Sequence, residues 1–285
     1  MRRLYLLLLL LLALGCQKLP DFENGTDMIV VEGWIEDNGY PVVILTRSLP
    51  IDTTYRDMSD LSDYIVRWAK VTVSDGTESV ILTGMTDNNY FPPYIYTTSH
   101  IKGKAGRKYY LTVEDGDQVL TAETTIPSPP DSCGFRVERC AQSDTLYQIT
   151  AYFTDNPAEH NYYQFFTRVE NKDRQHLASF LGSIDDSSLD GYTEIPVYRG
   201  RSIFTENVHI SYDEHYPYFA KDEIVSVRFA QVDYTSFRIW DSYLKMLSVS
   251  GNLFLSTSTD IQSNIVGGLG YWCGYGAINQ TLVIK

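Results

Sequence analysis

Short runs in which apolar and polar residues alternate, separated by turn residues, constrain the fold of this chain more than any other feature. Tyr109, Leu111 and Val113 alternate with less apolar residues, and the turn pair Gly116-Asp117 follows. A period of two is typical of a strand that buries one face. The chain is also rich in tyrosine, with 22 Tyr beside 12 Phe, and aromatic residues favour pleated surfaces. These patterns predict a mainly β protein.

The first structured part is predicted over residues 28–127. Asn38-Gly39 is a strong hairpin signal between two β-type runs. Six short strands and no helix in about 100 residues indicate a small antiparallel sandwich. The predicted strands are 28–35, 41–46, 65–74, 79–82, 108–114 and 118–126.

The segment Ile126-Pro-Ser-Pro-Pro130 is the best candidate for a domain boundary. Its prolines remove backbone donors and favour a stiff, extended connector. Alternation resumes beyond it at Tyr147–Phe153, Tyr163–Thr167 and Val225–Phe229, and a last strand is predicted at Gln280–Ile284. Residues 128–285 are therefore expected to form a second β-rich domain, with a polar loop at Gly182–Gly191.

One segment of this second part has helical spacing. Trp240, Tyr243, Leu244 and Leu247 fall at i, i+3, i+4 and i+7, which forms one apolar stripe on a helix. Asp233 and Gly251 are suitable residues for its two caps. We expect an amphipathic helix over about 233–250, with its stripe packed against a sheet.

The N-terminus reads as an export signal. Arg2 and Arg3 precede an apolar run from Leu4 to Leu14, and Gly15 and Cys16 follow. This run is too short to span a bilayer and is typical of a signal peptide. We expect cleavage after residue 15, acylation of Cys16 as a lipoprotein, and a polar tether over 16–27. An ordinary secretory signal that ends near a cysteine is the alternative.

Charge argues against nucleic acid as a partner. The formal net charge is −13, and removal of Arg2 and Arg3 with the signal takes it to −15. Such a chain repels polyanions. The mature protein is expected to be a body held at the membrane by its N-terminal lipid.

Three cysteines follow Cys16 in the sequence. Export permits disulfides, and Cys133 and Cys140 are close enough in sequence to close a small loop, so this pair is the preferred disulfide candidate. Cys273 would then be a free, buried thiol. Spacing alone does not fix the connectivity.

The motifs of common enzymes and metal sites are missing from the sequence, so we expect no catalytic residues, metal or cofactor. His209 and His215 flank two acidic residues, but this stretch reads as an exposed turn. Asp186–Gly191 resembles the start of a calcium loop, whose position 12 should be glutamate and here is Val197. Gly268 and Gly270 indicate a turn or close sheet packing, since no strand-to-helix context for a phosphate loop accompanies them. Paired carboxylates of a hydrolase cannot be judged from spacing.

Several motifs in order resemble one family. They are Val30-Val-Glu-Gly-Trp-Ile35, Leu45-Thr-Arg-Ser48, Ala69–Val73, Tyr109–Val113, Thr125-Ile-Pro127, Trp240 and Asn264–Tyr271. Together they resemble the lipoprotein family called domain of unknown function 4249, found mainly in Bacteroidota. The resemblance implies an outer-membrane lipoprotein with an immunoglobulin-like first domain and a β-rich second domain. It also implies an accessory or nutrient-capture role near TonB-dependent transporters, and it supplies no catalytic residues.

Three functions are compatible with these observations. The first is a non-enzymatic accessory lipoprotein that captures a ligand for a TonB-dependent outer-membrane transporter. The second is a stand-alone surface module that binds glycans or peptides through aromatic side chains. The third is a hydrolase, which would need a concave pocket with converging acids. Whether the body faces the periplasm or the outside is left open by the sequence.

Overall fold

The computed structural model describes residues 28–48, 62–141, 143–156, 158–189, 191–201, 217–249 and 261–285. The predicted signal peptide, Cys16, the tether, His209 and His215 lie outside these ranges. The strands are β1 (Ile29–Glu36), β2 (Val42–Arg47), β3 (Lys70–Ser74), β4 (Ser79–Ile81), β5 (Thr83–Thr86), β6 (Tyr94–Thr97), β7 (Lys108–Asp115), β8 (Gln118–Thr125), β9 (Cys133–Arg139), β10 (Leu146–Thr154), β11 (Tyr162–Val169), β12 (Leu177–Asp185), β13 (Tyr192–Val197), β14 (Phe219–Ala220), β15 (Ile224–Val232) and β16 (Leu269–Val283). The helices within the described ranges are α1 (Tyr234–Val249) and a 3-10 turn at Asp186–Ser188.

One eight-stranded sheet joins the two predicted parts of the chain. Its order is β12-β11-β15-β16-β1-β2-β6-β5. The long strand β16 is the link: residues 269–275 run parallel to β1, and residues 276–283 run antiparallel to β15. The strands before and after the proline connector therefore share hydrogen bonds within one sheet.

A four-stranded sheet, β4-β3-β7-β8, covers one face of the β1–β2 end of the central sheet. Side chains from both sheets form one buried cluster, which includes Val31, Tyr109, Leu111 and Val113. The alternation that predicted β7 is confirmed. Strands β5 and β6 were not predicted, because their sequences are short and the Phe91-Pro92-Pro93 run between them reads as a turn.

A second small sheet, formed by β9, β10, β13 and β14, covers the same face at the β11–β15 end. The rings of Phe165 and Phe229 stack in its core with centroids 4.5 Å apart. The prediction of a loop over 182–191 was wrong for its first residues, since β12 continues to Asp185. There the backbone pairing of Tyr162 with Asp185 outweighs the polar composition.

Helix α1 packs on the opposite face of the central sheet and confirms the predicted stripe. Trp240, Leu244 and Leu247 are buried against Phe166 and Cys273. The Asp233 carboxylate accepts the backbone N–H of Ser236 at 2.8 Å, which is N-terminal capping. The proposed cap Gly251 lies outside the described residues.

The predicted disulfide between Cys133 and Cys140 is not present in the structure. Cys133 and Cys140 are free thiols; Cys133 begins β9 and Cys140 follows its last residue. A strand rises about 3.3 Å per residue, so the two α-carbons lie roughly 20 Å apart, whereas a disulfide requires less than about 7 Å. The strand thus excludes the Cys133–Cys140 disulfide. Cys273 is free and buried, as predicted.

The glycine-rich tail is part of β16, which begins well before the predicted Gln280. Gly270 has φ +106°, and a Cβ there would overlap the carbonyl oxygen of Val31 on β1. The glycine lets the two backbones approach closely in the parallel pair. This is the close sheet packing that the sequence indicated for Gly268 and Gly270.

Candidate functional site

A cleft of about 490 Å³ opens on the face of the central sheet that carries α1. Its floor is formed by side chains of β1, β2, β6, β11, β15 and β16. One wall comes from α1 and the residues after β11, and the other from the turns before β2 and before β6. The residues that line the cleft include Trp34, Glu36, Tyr40, Asp87, Tyr90, Phe166, Arg168, Arg174, Gln175, His176, Arg228, Trp240, Tyr271 and Tyr275.

Strand alternation explains why these side chains meet. On β1, Val31 and Ile35 are buried in the core below the sheet, so Trp34 and Glu36 project to the other face. On β11, Phe165 faces the lower core and Phe166 the upper one. Because β16 pairs with β1 and β15, side chains from both halves of the chain converge on one surface.

Aromatic rings form much of the cleft. The centroids of Trp34 and Tyr90 are 6.0 Å apart, and those of Trp240 and Tyr271 are 4.9 Å apart. Trp240 Nε1 donates a hydrogen bond to Tyr275 Oη at 3.1 Å. Burial, followed by the Asp87 charge, raises the pKa of Tyr90, so its hydroxyl is neutral and able to donate.

Arg228 on the floor is a compensated charge. Its Nη2 lies 2.8 Å from Glu36 Oε1, and only 13% and 18% of the two side chains are exposed. Its Nε donates to Asn279 Oδ1 at 3.2 Å, and its guanidinium carbon lies 6.0 Å from the centroid of the Phe166 ring. This arginine joins β15 to β1 across the central sheet.

Arg168 differs from Arg228 although both lie on the floor. Its backbone is opposite Ser226 in the pairing of β11 with β15. Arg168 is a partly exposed residue, and its guanidinium makes no hydrogen bond or ion pair with any residue of the part of the chain that the structure describes. Arg168 is therefore a positive charge that the protein leaves available to the cleft.

His176 stands beside the two arginines and is neutral. Burial, together with the charges of Arg228 and Arg168, lowers its pKa to about 3. Its Nε2 lies 3.0 Å from Ser226 Oγ. A neutral imidazole adds hydrogen-bonding capacity without adding charge.

The two walls touch across the cleft. The backbone N–H of Phe91 donates to Gln175 Oε1 at 3.4 Å, which joins the turn before β6 to the segment after β11. Asp87 accepts the backbone N–H of Asn89 at 2.9 Å and so shapes that turn. The cleft thus depends on contacts between segments more than 80 residues apart.

A second polar cluster lies away from the cleft. His160 Nε2 is 2.8 Å from Asp185 Oδ1 and 3.4 Å from Asp186 Oδ1. The hydrogen bond with Asp185 raises the pKa of His160. Hydrogen bonds from Ser187 and His160 lower the pKa of Asp185 to about 2. The three ligand atoms are close enough to hold a metal ion, and an ion pair between the solvent-exposed side chains of His160 and Asp185 accounts for the same geometry.

The structure does not bring the sequence-predicted site residues together. Cys16 lies outside the described residues, and Cys133 and Cys140 line no part of the cleft. Asp186 of the calcium-like segment belongs to the histidine cluster, while Asp190 is not described. The cleft arginines were missed, although an arginine on a strand face otherwise occupied by aromatic rings is a signal that the sequence carries at Arg168 and Arg228.

Within the described ranges, no helix is both long and apolar enough to cross a membrane. No curated protein is significantly similar to this chain. A family profile does match: it is described as Domain of unknown function (DUF4249) and covers residues 18–280.

Proposed function

Since this chain belongs to the family Domain of unknown function (DUF4249), we propose that it is a lipid-anchored outer-membrane protein that captures a ligand in the cleft. In this proposal it delivers that ligand to a TonB-dependent transporter. The observation that carries the proposal is the concave, aromatic cleft between the two halves of the chain.

The cleft has the character of a ligand site. Small-molecule sites are concave, roughly 300–1,000 Å³ in volume, and mostly apolar with a few placed polar groups. Here the volume is about 490 Å³, and rings from both halves surround arginine and neutral histidine side chains. Because sheet hydrogen bonds and the wall contact hold both sides, the site is formed before a ligand arrives, which lowers the ordering cost of binding.

The proposal is non-enzymatic. Among the residues that the structure describes, the acidic side chains that line the cleft are Glu36 and Asp87. Glu36 is paired with Arg228 at 2.8 Å, and Asp87 accepts hydrogen bonds from its own turn. A glycoside hydrolase needs one acid that is free to donate a proton and a second that acts as nucleophile or base. The engagement of both carboxylates favours binding over hydrolysis.

We assign the lipid anchor to Cys16, in keeping with the lipoprotein family that the motifs along the whole chain resemble. Met28 comes twelve positions after Cys16, with eleven residues between them, and a chain of that length spans at most about 40 Å. The body could then reach a transporter in the same membrane. An immunoglobulin-like sandwich formed by β1–β8 belongs to the same proposal.

A stand-alone module that binds glycans or peptides is the alternative, and the exposed ring of Tyr40 favours it. Tyr40 lines the cleft and leaves 43% of its surface exposed. Rings at the mouth of a site stack on sugars or side chains without requiring a second protein. The two functions share the cleft and differ in whether a transporter is bound.

Affinity purification of the tagged protein from gently solubilised outer membranes, followed by mass spectrometry, separates these functions. A TonB-dependent barrel in stoichiometric amount supports the accessory function. Recovery of the protein alone, even after crosslinking, refutes that function and leaves the stand-alone module.

The same preparation tests the anchor. The Cys16→Ser variant is expected to lose acylation and to leave the outer-membrane fraction, with Cys140→Ser as the matched control. If Cys16→Ser remained acylated in the outer membrane, the assignment of Cys16 would be wrong.

A further inference from the structure

We infer that the cleft selects an organic anion, and that Arg168 binds the anionic group of that ligand, a carboxylate or a phosphate carried on a ring. This inference rests on the proposed function of the cleft as a binding site and names the chemistry that the site recognises. It concerns a residue for which the fold itself offers no use.

The two arginines on the floor of the cleft differ in their partners. Arg228 has a carboxylate partner, Glu36, and an amide partner, Asn279. Arg168 has neither among the described residues. A guanidinium presents five donors in a fixed fork that matches a carboxylate or phosphate. Leaving it partly buried without a partner costs free energy, which an anionic ligand would offset.

The charges around Arg168 favour an anionic ligand. Among the described residues of the floor, Arg168 and Arg228 bring positive charge, and the described acids of the lining are Glu36 and Asp87. Glu36 forms an ion pair with Arg228, and Asp87 lies in the wall formed by the turn before β6. His176 is neutral and therefore does not change this balance of charges. The floor around Arg168 is therefore locally positive in a chain with a net charge of −13.

Aromatic rings beside Arg168 offer a surface for the rest of the ligand. Trp34 and Tyr90 form an adjacent aromatic pair, with centroids 6.0 Å apart, and the charges of both Arg168 and Asp87 act on the Tyr90 hydroxyl. A ligand with its anionic group on Arg168 would place its body against these rings. This arrangement fits a ring-bearing anion better than a small inorganic ion.

Two dyes of nearly the same shape test the inference. 1-Anilinonaphthalene-8-sulfonate carries an anionic group, and N-phenyl-1-naphthylamine lacks it. With the full-length acylated protein in detergent, the fluorescence titration should give an affinity for the anionic dye that falls about tenfold or more in Arg168→Gln. The affinity for the neutral dye should stay unchanged, and Arg168→Lys should retain part of the anionic binding.

Arg238→Gln is the matched control, because Arg238 is exposed on α1 and does not line the cleft. It removes the same charge from the same protein and should leave both affinities unchanged. Circular dichroism of each variant checks that the fold is retained. Displacement of the anionic dye by phenylacetate or by phenyl phosphate then tells whether the site prefers a carboxylate or a phosphate.

The outcomes separate this inference from the proposed function. If both dyes bind and Arg168→Gln changes neither affinity, the anion inference is overturned while the cleft remains a binding site. Equal losses in Arg168→Gln and Arg238→Gln overturn it as well, since they show a long-range charge effect. If neither dye binds, both the inference and the proposed cleft are refuted.

Discussion

Trp272 offers the sharpest test of how the two halves are joined. Its side chain is fully buried on β16, in the core between the central sheet and the β4-β3-β7-β8 sheet. Its Nε1 donates to the Tyr109 carbonyl oxygen at 3.2 Å. The ring packs on Gly33 of β1, where an added Cβ would lie 2.8 Å from Trp272 Cε3.

The Trp272→Ala substitution should lower the free energy of unfolding by about 3–5 kcal/mol, the usual cost of emptying a buried tryptophan site. Trp272→Phe keeps most of the ring and loses the hydrogen bond and part of the packing, so we expect a loss of about 1–2 kcal/mol. Urea denaturation followed by circular dichroism measures both values, with the slope compared between variants.

Trp68→Ala is the matched control, because Trp68 leaves 93% of its surface exposed. The same chemical change there should alter the free energy of unfolding by less than about 0.5 kcal/mol. A loss below about 1 kcal/mol in Trp272→Ala, or equal losses at the two positions, would refute the burial of Trp272 and with it the packing of β16 on β1.

Three further predictions concern charge and thiols. Burial raises the pKa of Glu32 to about 7 from an ordinary value of 4.5. The neutral form of this carboxyl stabilises the folded protein fully below pH 4.5, and this stabilisation is lost as the pH rises through 7. Glu32→Gln should therefore stabilise the protein at pH 8 by about 3 kcal/mol, with no gain at pH 4; an equal effect at both values would contradict the assigned burial. Glu36→Gln should cost about 1–2 kcal/mol in urea denaturation, because it leaves its arginine partner without a counter-charge, and an unchanged midpoint would count against that ion pair. In the native acylated protein, maleimide should label Cys140 first, since burial raises the pKa of Cys133 and of Cys273 to about 12. The intact mass of the protein, measured after labelling under denaturing conditions without reductant, should show that all three thiols are labelled. If two of them remained unlabelled, a disulfide such as Cys133–Cys140 would be present after all.

The buried positions of β7 and β15 were predictable from the sequence, because alternation of apolar and polar residues is a local pattern. The alternation at Tyr109–Val113 and Val225–Phe229 indicates which side chains are buried, and it does so without knowledge of the sheet to which the strand belongs. Helix α1 was predictable for the same reason, since the Trp240–Leu247 stripe and the Asp233 cap depend on neighbours along the chain.

Errors arose where backbone pairing outweighs local composition. Strands β5 and β6 are both short; β5 is polar and β6 follows two prolines. Their extended conformation depends on pairing with neighbouring strands of the sheet. The end of β12 has the composition of a loop, yet its backbone groups pair with β11. A predicted disulfide failed because sequence proximity does not bring two residues together when a strand extends between them.

By itself the sequence determined the β class, the helix and the identity of the buried residues, because periodicity and side-chain chemistry act over a few positions. Only the tertiary structure decided that β16 lies beside β1, since backbone hydrogen bonds between strands more than 200 residues apart carry little sequence signature. That pairing brings Trp34 and Glu36 next to Arg168 and Arg228 and so creates the cleft. The candidate site is a product of the sheet order, and no single segment of the chain contains it.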